Sequence, residues 1–357
     1  MKVLLVHPGA SWSTADVFDG LNYGLKEHGV EVEHYRLDKR IPVSHAALFT
    51  AWRKMKKEQP DLPKPNQADI MYHAGVGALE MALRYQVDVV FVVSAMMLHP
   101  DVIVMMKRAG LKVVVLFTES PYDEDHEIKI ATMVDGCWTM ERTSLPRFKC
   151  ANPNAGYLKH AWHPLKHFPS ARAIGDLPHH DVVFVGSGFN ERITWFNSID
   201  WTGIDLGLYG TWDKLGLNSQ LQGCIRGAQI TNDMAASLYR RAKINLNIYR
   251  SSKGWGRKTQ KISRADSLSP RAYELAACGA FHLSSDRAEV REVFGDLVPT
   301  FSSPTEAAAL IRLWLKDDHG RQSIAQKLPA CVAESSWVQR AQTVIGDLQS
   351  LLHKRAA

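Results

Sequence analysis

The chain has 357 residues, which as a soft prior suggests two domains, because single hydrophobic cores stop growing at roughly 250–300 residues. Apolar residues make up 45% and charged residues 22%, values that exclude a disordered tail protein, a collagen-like chain and a coiled coil. Lys+Arg 43 against Asp+Glu 37 gives a net charge of +6, which permits a phosphate-rich partner without demanding one.

In chain order, short β-branched runs alternate with helix-length amphipathic segments, the pattern of parallel sheets covered by helices on both faces. The first half predicts strands at Lys2–His7, Glu31–Arg36, Val87–Ser94, Lys112–Thr118 and Gly136–Met140. A helix over Ser13–His28 is closed by Gly29. The stretch from Ala161 to Pro169 is bracketed by prolines and reads as an inter-domain linker. Beyond it, strands are predicted at Asp181–Val185, Asp205–Tyr209, Ile244–Ile248, Ala280–Ser284 and Leu297–Thr300. Helices are predicted at Asp233–Ala242, Ser269–Cys278 and Ser303–Leu315. A last amphipathic helix, Glu334–Lys354, is expected to pack across both units. The expected domains are therefore 1–166, 167–333 and a returning helix in 334–357. Two such units leave a cleft, and ligands of these sheets sit at the carboxyl ends of the strands.

Five cysteines (Cys137, Cys150, Cys224, Cys278, Cys331), odd in number and without a C-x-x-C pair, argue for reduced thiols in a cytosol-like compartment. The apolar N-terminal stretch is too short for a signal peptide. The longest apolar run, Val87–Leu98, falls short of the ~20 residues that span a bilayer. A soluble, cytoplasmic protein is expected.

The most informative segment is Asp266-Ser-Leu-Ser269-Pro270-Arg271-Ala-Tyr-Glu274-Leu-Ala-Ala-Cys-Gly279. Ser269 suits an N-cap and Pro270 the first helical position. A helix start beside Arg271 makes an anion site, naturally for a phosphate or diphosphate. Glu274, about one turn on, can reach the hydroxyls of a ribose.

Glu274 five residues before Gly279, with Asp266 eight positions upstream, resembles the E-x7-E signature of glycosyltransferases with the two-domain GT-B fold. The segment is most similar to the CgeB or spore-maturation-protein-like glycosyltransferases of bacteria and phages. Further matches are Phe184-Val-Gly186-Ser-Gly188-Phe-Asn-Glu-Arg192, Leu208-Tyr-Gly210-Thr-Trp212 and Leu238-Tyr-Arg-Arg-Ala-Lys-Ile-Asn245-Leu-Asn247. They cover the C-terminal half; the N-terminal half matches only in fold and at Thr118-Glu119-Ser120-Pro121-Tyr122.

The resemblance implies an α/β fold of two Rossmann-like domains and transfer of a sugar, most simply from a UDP-linked donor. Glu274 would hold the ribose, while Arg271 and the amides of Ser269 and Arg271 would take the diphosphate. Gly186, Ser187 and Gly188 would let backbone approach the ligand, and Arg192 could neutralise phosphate charge. Ile225 and Arg226 fall where such enzymes lay the nucleobase. Asp266 stands where the signature has Glu, which shortens its reach to the donor sugar. The signature goes with retention of configuration. Each residue also has a plainer reading: a Glu near a helix start complements the dipole, an adjacent Arg pairs on the surface, and glycine turns are common.

Preorganised cations and amides would stabilise the departing diphosphate; no D-x-D motif is read as a metal site in a loop after an apolar strand, so no obligatory metal or other cofactor is expected. Asp123-Glu124-Asp125 is acidic enough for Mg²⁺ but reads as an exposed run. Glu119, Asp123 and His126 are candidates for taking a proton from the acceptor, or else a cap and surface residues. His7, Gly9 and Ser11 would line the same cleft. His160, His163 and His167 have spacings that could attract metal, yet fit a structural role in the linker.

From Arg250 to Arg264 the chain holds Arg250, Lys253, Arg257, Lys258, Lys261 and Arg264 with no acid, and Trp255 between two glycines. This segment could clamp a diphosphate, touch a nucleic-acid backbone, or form a solvated lid. A second basic patch is Arg53, Lys54, Lys56 and Lys57. Together they suggest a hydroxymethylated pyrimidine in DNA as acceptor, with a polysaccharide, protein or small metabolite as alternatives. A non-catalytic nucleotide- or DNA-binding protein is the rival of another class.

Overall fold

The computed structural model describes residues 1–9, 13–170, 177–228, 230–253, 260–262 and 264–353. Two compact units emerge: unit 1 is Met1–Leu158 together with the chain from Val338 onward, and unit 2 is Lys159–Trp337. Among the described residues no helix is long and apolar enough to cross a membrane. All five cysteines are free thiols.

Unit 1 runs β1 (Lys2–Val6), α1 (Ser13–Glu27), β2 (Glu31–Tyr35), α2 (Leu37–Met55), α3 (Gln67–Arg84), β3 (Val89–Val93), α4 (Pro100–Arg108), β4 (Val113–Phe117), α5 (Glu124–Ala131), β5 (Gly136–Thr139), α6 (Leu145–Ala151) and β6 (Ala155–Tyr157). The sheet is parallel, in the order β2-β1-β3-β4-β5-β6. Helices cover both faces, so β3 and β4 are Val-Val-Phe-Val-Val and Val-Val-Val-Leu-Phe, buried at every position. After β2 the chain crosses to the other side of β1, which puts a topological switch point at the carboxyl ends of β1 and β3.

Unit 2 runs β7 (Val182–Val185), α7 (Asn190–Asn197), β8 (Leu206–Tyr209), β9 (Ile225–Gly227), α8 (Asn232–Arg241), β10 (Ile244–Asn247), the ribbon β11 (Ser252–Lys253) with β12 (Gln260–Lys261), α9 (Pro270–Ala277), β13 (His282–Ser285), α10 (Ala288–Phe294), β14 (Thr300–Phe301), α11 (Pro304–Trp314) and α12 (Asp318–Cys331). The parallel sheet is ordered β14-β13-β10-β7-β8-β9, with its switch point between β7 and β10. One face packs Phe184, Phe196, Trp212 and Leu246. The other packs Tyr273 and Ala276 of α9 against Leu328 and Val332.

All ten expected strands are present, most with ends moved by one or two residues, and the last contracts to Thr300–Phe301. The stretch read as a linker is built into unit 2: Trp162 Nε1 donates to Val332 O at 2.7 Å and the Trp337 amide to Trp162 O at 3.0 Å. Its prolines mark it as a boundary in sequence, but Trp162 packs against a core of unit 2. The last helix, α13 (Trp337–His353), belongs to unit 1 from Val338 on. There Trp138 Nε1 donates to Asp347 Oδ2 at 2.8 Å.

Candidate active site

The residues of the Ser-Pro-Arg segment come together at the β7/β10 switch point. Pro270 starts α9, and Ser269 before it has the extended backbone of an N-cap (φ −77°, ψ 161°) without a side-chain capping bond. Its hydroxyl instead donates to Asn247 Oδ1 at 3.1 Å, at the end of β10. Arg271 Nη1 reaches the same Asn247 oxygen at 3.4 Å, and its guanidinium lies 4.9 Å from the Phe184 ring centroid. Gly186 is the reason it can lie there: a Cβ at this position would sit 2.6 Å from Arg271 Nη2. One turn further on, Glu274 is buried, and Asn232 Nδ2 donates to its Oε1 at 3.3 Å. Burial raises the Glu274 carboxyl above its ordinary value, against the opposing pull of Asn232 and Arg271. A helix start, a guanidinium and a buried carboxyl thus share one crevice, at the edge where ligands of such sheets sit.

Around this centre the glycine turn is held by other groups. Gly186 N–H donates to Tyr209 O and Gly188 N–H to Thr211 O, each at 2.8 Å. A Cβ on Gly188 would come within 2.4 Å of the Trp212 indole, so this glycine serves packing. Arg192, expected to neutralise phosphate, is buried and spends its guanidinium on main chain. It donates to Ser187 O at 3.0 Å and Ile248 O at 2.8 Å, tying the glycine turn to the end of β10. Ile225 and Arg226 lie in β9, where Ile225 pairs with Leu208 and Gly227 with Tyr209 of β8. Arg226 is exposed and donates to Gly223 O at 2.5 Å.

Asp266 is buried in the loop before α9, and what its carboxylate touches is Arg264, whose Nη2 and Nε donate to Oδ2 at 2.6 and 3.1 Å. The cationic segment is described at Arg250, in the backbone of Ser252–Lys253 and Gln260–Lys261, and at Arg264. The side chains of Lys253 and Lys261, and all of Trp255, Arg257 and Lys258, lie outside the described residues.

In unit 1, Glu119 and Asp123 sit between β4 and α5, and His126 is exposed in the first turn of α5. Sequence reasoning missed the group that organises them, Glu127. Its buried carboxyl accepts the Glu119 amide at 2.8 Å and the Ser120 hydroxyl, across a cis Ser120–Pro121 bond. Burial pushes Glu127 up to about 8. Its only sequence signal is an acid in a helical first turn. The Asp123-Glu124-Asp125 run is not uniformly exposed: Glu124 is buried against Arg147, which also bonds Asp125 at 2.9 Å. His7 is buried, its Nδ1 accepting the Gly9 amide at 3.1 Å, whereas Ser11 lies outside the described residues. His163 and His167, inside unit 2, are joined by a bond from the His163 amide to His167 Nδ1 at 3.0 Å. Among the described residues no group of three or more His, Cys, Asp or Glu side chains is arranged to hold a metal ion. Arg53, Lys54, Lys56 and Lys57 are exposed at the carboxyl end of α2, where basic residues complement the helix dipole.

Residues 172–346 match the family model described as Glycosyl transferase-like. No protein of curated function matches the sequence. Among solved structures, Anabaena HepE, determined in complex with UDP-glucose, is similar at TM-score 0.62 and 12% identity, over 98% of this chain and 100% of that one. The α,α-trehalose 6-phosphate synthase of Burkholderia multivorans is similar at TM-score 0.57 and 12% identity, over 100% and 99%. The E. coli trehalose-6-phosphate protein bound with UDP-2-fluoro glucose is similar at 0.56 and 9%, over 98% and 99%. These likenesses give the fold, and none of their descriptions supports a DNA base as acceptor. The two parallel six-stranded sheets and these likenesses give the chain the GT-B fold, and its second half carries the Glycosyl transferase-like match.

Proposed function

We propose that the chain transfers a sugar from a UDP-linked donor held by unit 2. The observation that carries this reading is the convergence at the β7/β10 switch point of Arg271, the start of α9 and buried Glu274, with Gly186 making room for the guanidinium. Arg271 and the first turn of α9 would receive the diphosphate, and Glu274 would accept hydroxyl protons of the ribose. As the sugar–phosphate bond breaks, negative charge grows on the diphosphate; a fixed cation and helix dipole stabilise it without reorganising. These groups do the work a divalent cation would do, which makes the reaction metal-independent on this reading. Ile225 and Arg226, on β9, are proposed to flank the nucleobase. Arg192 is proposed as a positioning residue that holds the 186–188 turn.

The structures of HepE with UDP-glucose and of the E. coli protein with UDP-2-fluoro glucose support a uridine donor. The Asp266…Glu274 spacing supports retention of configuration and kinship with the CgeB-like enzymes. For the acceptor side, Glu119 and Asp123 are proposed proton acceptors on a loop that Glu127 fixes. The test is turnover with UDP-, GDP- and ADP-sugars, reading release of the nucleoside diphosphate. Release from UDP-sugars is expected; nucleotide binding without any sugar release would leave only a binding protein.

A further inference from the structure

Beside the crevice, on the far flank of β10, unit 2 has a cavity of about 550 Å³. Its lining draws on α7, the chain after β10, Arg264, the turn after β13, and β14. Four guanidinium groups line it, those of Arg192, Arg250, Arg264 and Arg287, against two carboxylates, Glu191 and Asp286. Outside the lining, Asp266 pairs with Arg264 at 2.6 Å and Arg291 with Asp286 at 3.3 Å, contributions of opposite sign. Among the described lining side chains, guanidinium groups thus exceed carboxylates by two.

Three of the arginines are held on aromatic faces. Arg250 and Arg192 lie 4.8 and 5.2 Å from the Phe189 centroid, and Arg287 lies 3.7 Å from that of Tyr249. Arg287 is fixed further by its bond to Ser267 O at 2.6 Å. Stacked guanidinium planes keep their edges oriented and lose little entropy when they bind, which at Arg250 and Arg287 suits bidentate recognition of phosphate, while Arg192, bonded to Ser187 O and Ile248 O, contributes its charge. Trp195, Ile248 and Phe301 add apolar and aromatic surface, and Ser251, Ser285 and Ser302 line the cavity beside them.

We infer that this pocket is a second phosphate site, taking the phosphate monoester of a sugar-sized molecule alongside the nucleotide. A dianionic monoester matches that excess of two guanidinium groups, where a carboxylate supplies one negative charge. The volume exceeds what a bare phosphate fills, and the aromatic walls suit the CH faces of a sugar ring. The inference rests on the proposed donor reading only in placing the nucleotide at α9, outside this pocket.

The test uses the full chain and calorimetry with inorganic phosphate and with triose, pentose and hexose phosphates against the parent sugars, with and without saturating UDP. Binding of a sugar phosphate that persists under saturating UDP is expected, with the unphosphorylated sugar at least tenfold weaker. Affinity should fall as pH drops below about 6, where the monoester loses its second charge. Arg264→Gln, at an exposed side chain, should weaken binding about tenfold. Glu191→Gln should tighten it several-fold, a gain that misfolding cannot mimic. Competition between UDP and the sugar phosphates would assign the pocket to the donor diphosphate and overturn the inference, as would unchanged affinity in both variants. If UDP does not bind while sugar phosphates do and respond to the variants, the pocket stands and the donor reading falls.

Discussion

The two units share a parallel, doubly wound sheet but not its strand order, with one strand beyond β1 in unit 1 and two beyond β7 in unit 2, and they arm the carboxyl edge with opposite chemistry. In unit 1 the carboxyl edge of the sheet is organised by an acid, Glu127, which buries itself under the 119–123 loop. At its switch point Ser94 and Ala95 follow each other in the left-handed region (φ 68° and 58°), backbone strain of the kind that persists at working sites. In unit 2 the same edge is organised by arginines: Arg192 clamps two carbonyls and Arg271 lies against Gly186. The shared fold thus fixes where a ligand sits in each unit, and the local side chains decide its charge. On the proposed reading, unit 2 is prepared for an anion.

The largest effect that would break this contrast is expected at Arg271. Arg271→Ala removes a charge-assisted contact worth about 1.5–3 kcal/mol, so UDP affinity should fall roughly ten- to a hundredfold; equal affinity would remove the cation from the proposed site. Glu274→Ala should weaken UDP about tenfold, and 2′-deoxy-UDP less than UDP, because the lost partner is a ribose hydroxyl. Gly186→Ala and Gly188→Ala separate site from scaffold. The first should displace the Arg271 guanidinium and lower UDP affinity several-fold, with a loss of melting temperature smaller than that of the second because the Phe184 ring stands 3.0 Å from the added Cβ. The second must push on the Trp212 indole and should cost about 1–3 kcal/mol of stability.

Unit 1 answers to pH instead. Folding raises Glu127 to about 8, so in the ordinary carboxylate range and above the native state holds a proton that the unfolded chain has released. Its contribution to stability is therefore largest at acid pH and declines as pH rises towards 8. Glu127→Gln should flatten that decline in a melting-temperature series, whereas an unchanged slope would move the effect elsewhere. The smallest response is expected from DNA. Filter binding of duplex DNA across a salt series should be weak and nearly flat; a steep loss with salt would restore nucleic acid as a partner.

Much of the fold was legible because strands covered on both faces are continuous β-branched runs, as in β3 and β4. The three-residue strands β6 and β9 carry no periodicity and were invisible. Helix α2 was obscured by the proline at its sixth position, Pro42. At the site, the Ser-Pro start of α9, Arg271 and Glu274 could be placed from order alone, because capping chemistry is local. Arg192 was assigned to phosphate because a sequence shows a charge but not the Ser187 and Ile248 carbonyls it would meet. Glu127 and the arginines around the second cavity come from separate segments, and only packing brings them together.

The most direct measurement is amide hydrogen exchange with and without UDP. Protection is expected in residues 183–189 and 267–275, on either side of the β7/β10 switch point. Protection confined to unit 1, or unchanged exchange in both segments while UDP is bound, would contradict a nucleotide site at this edge.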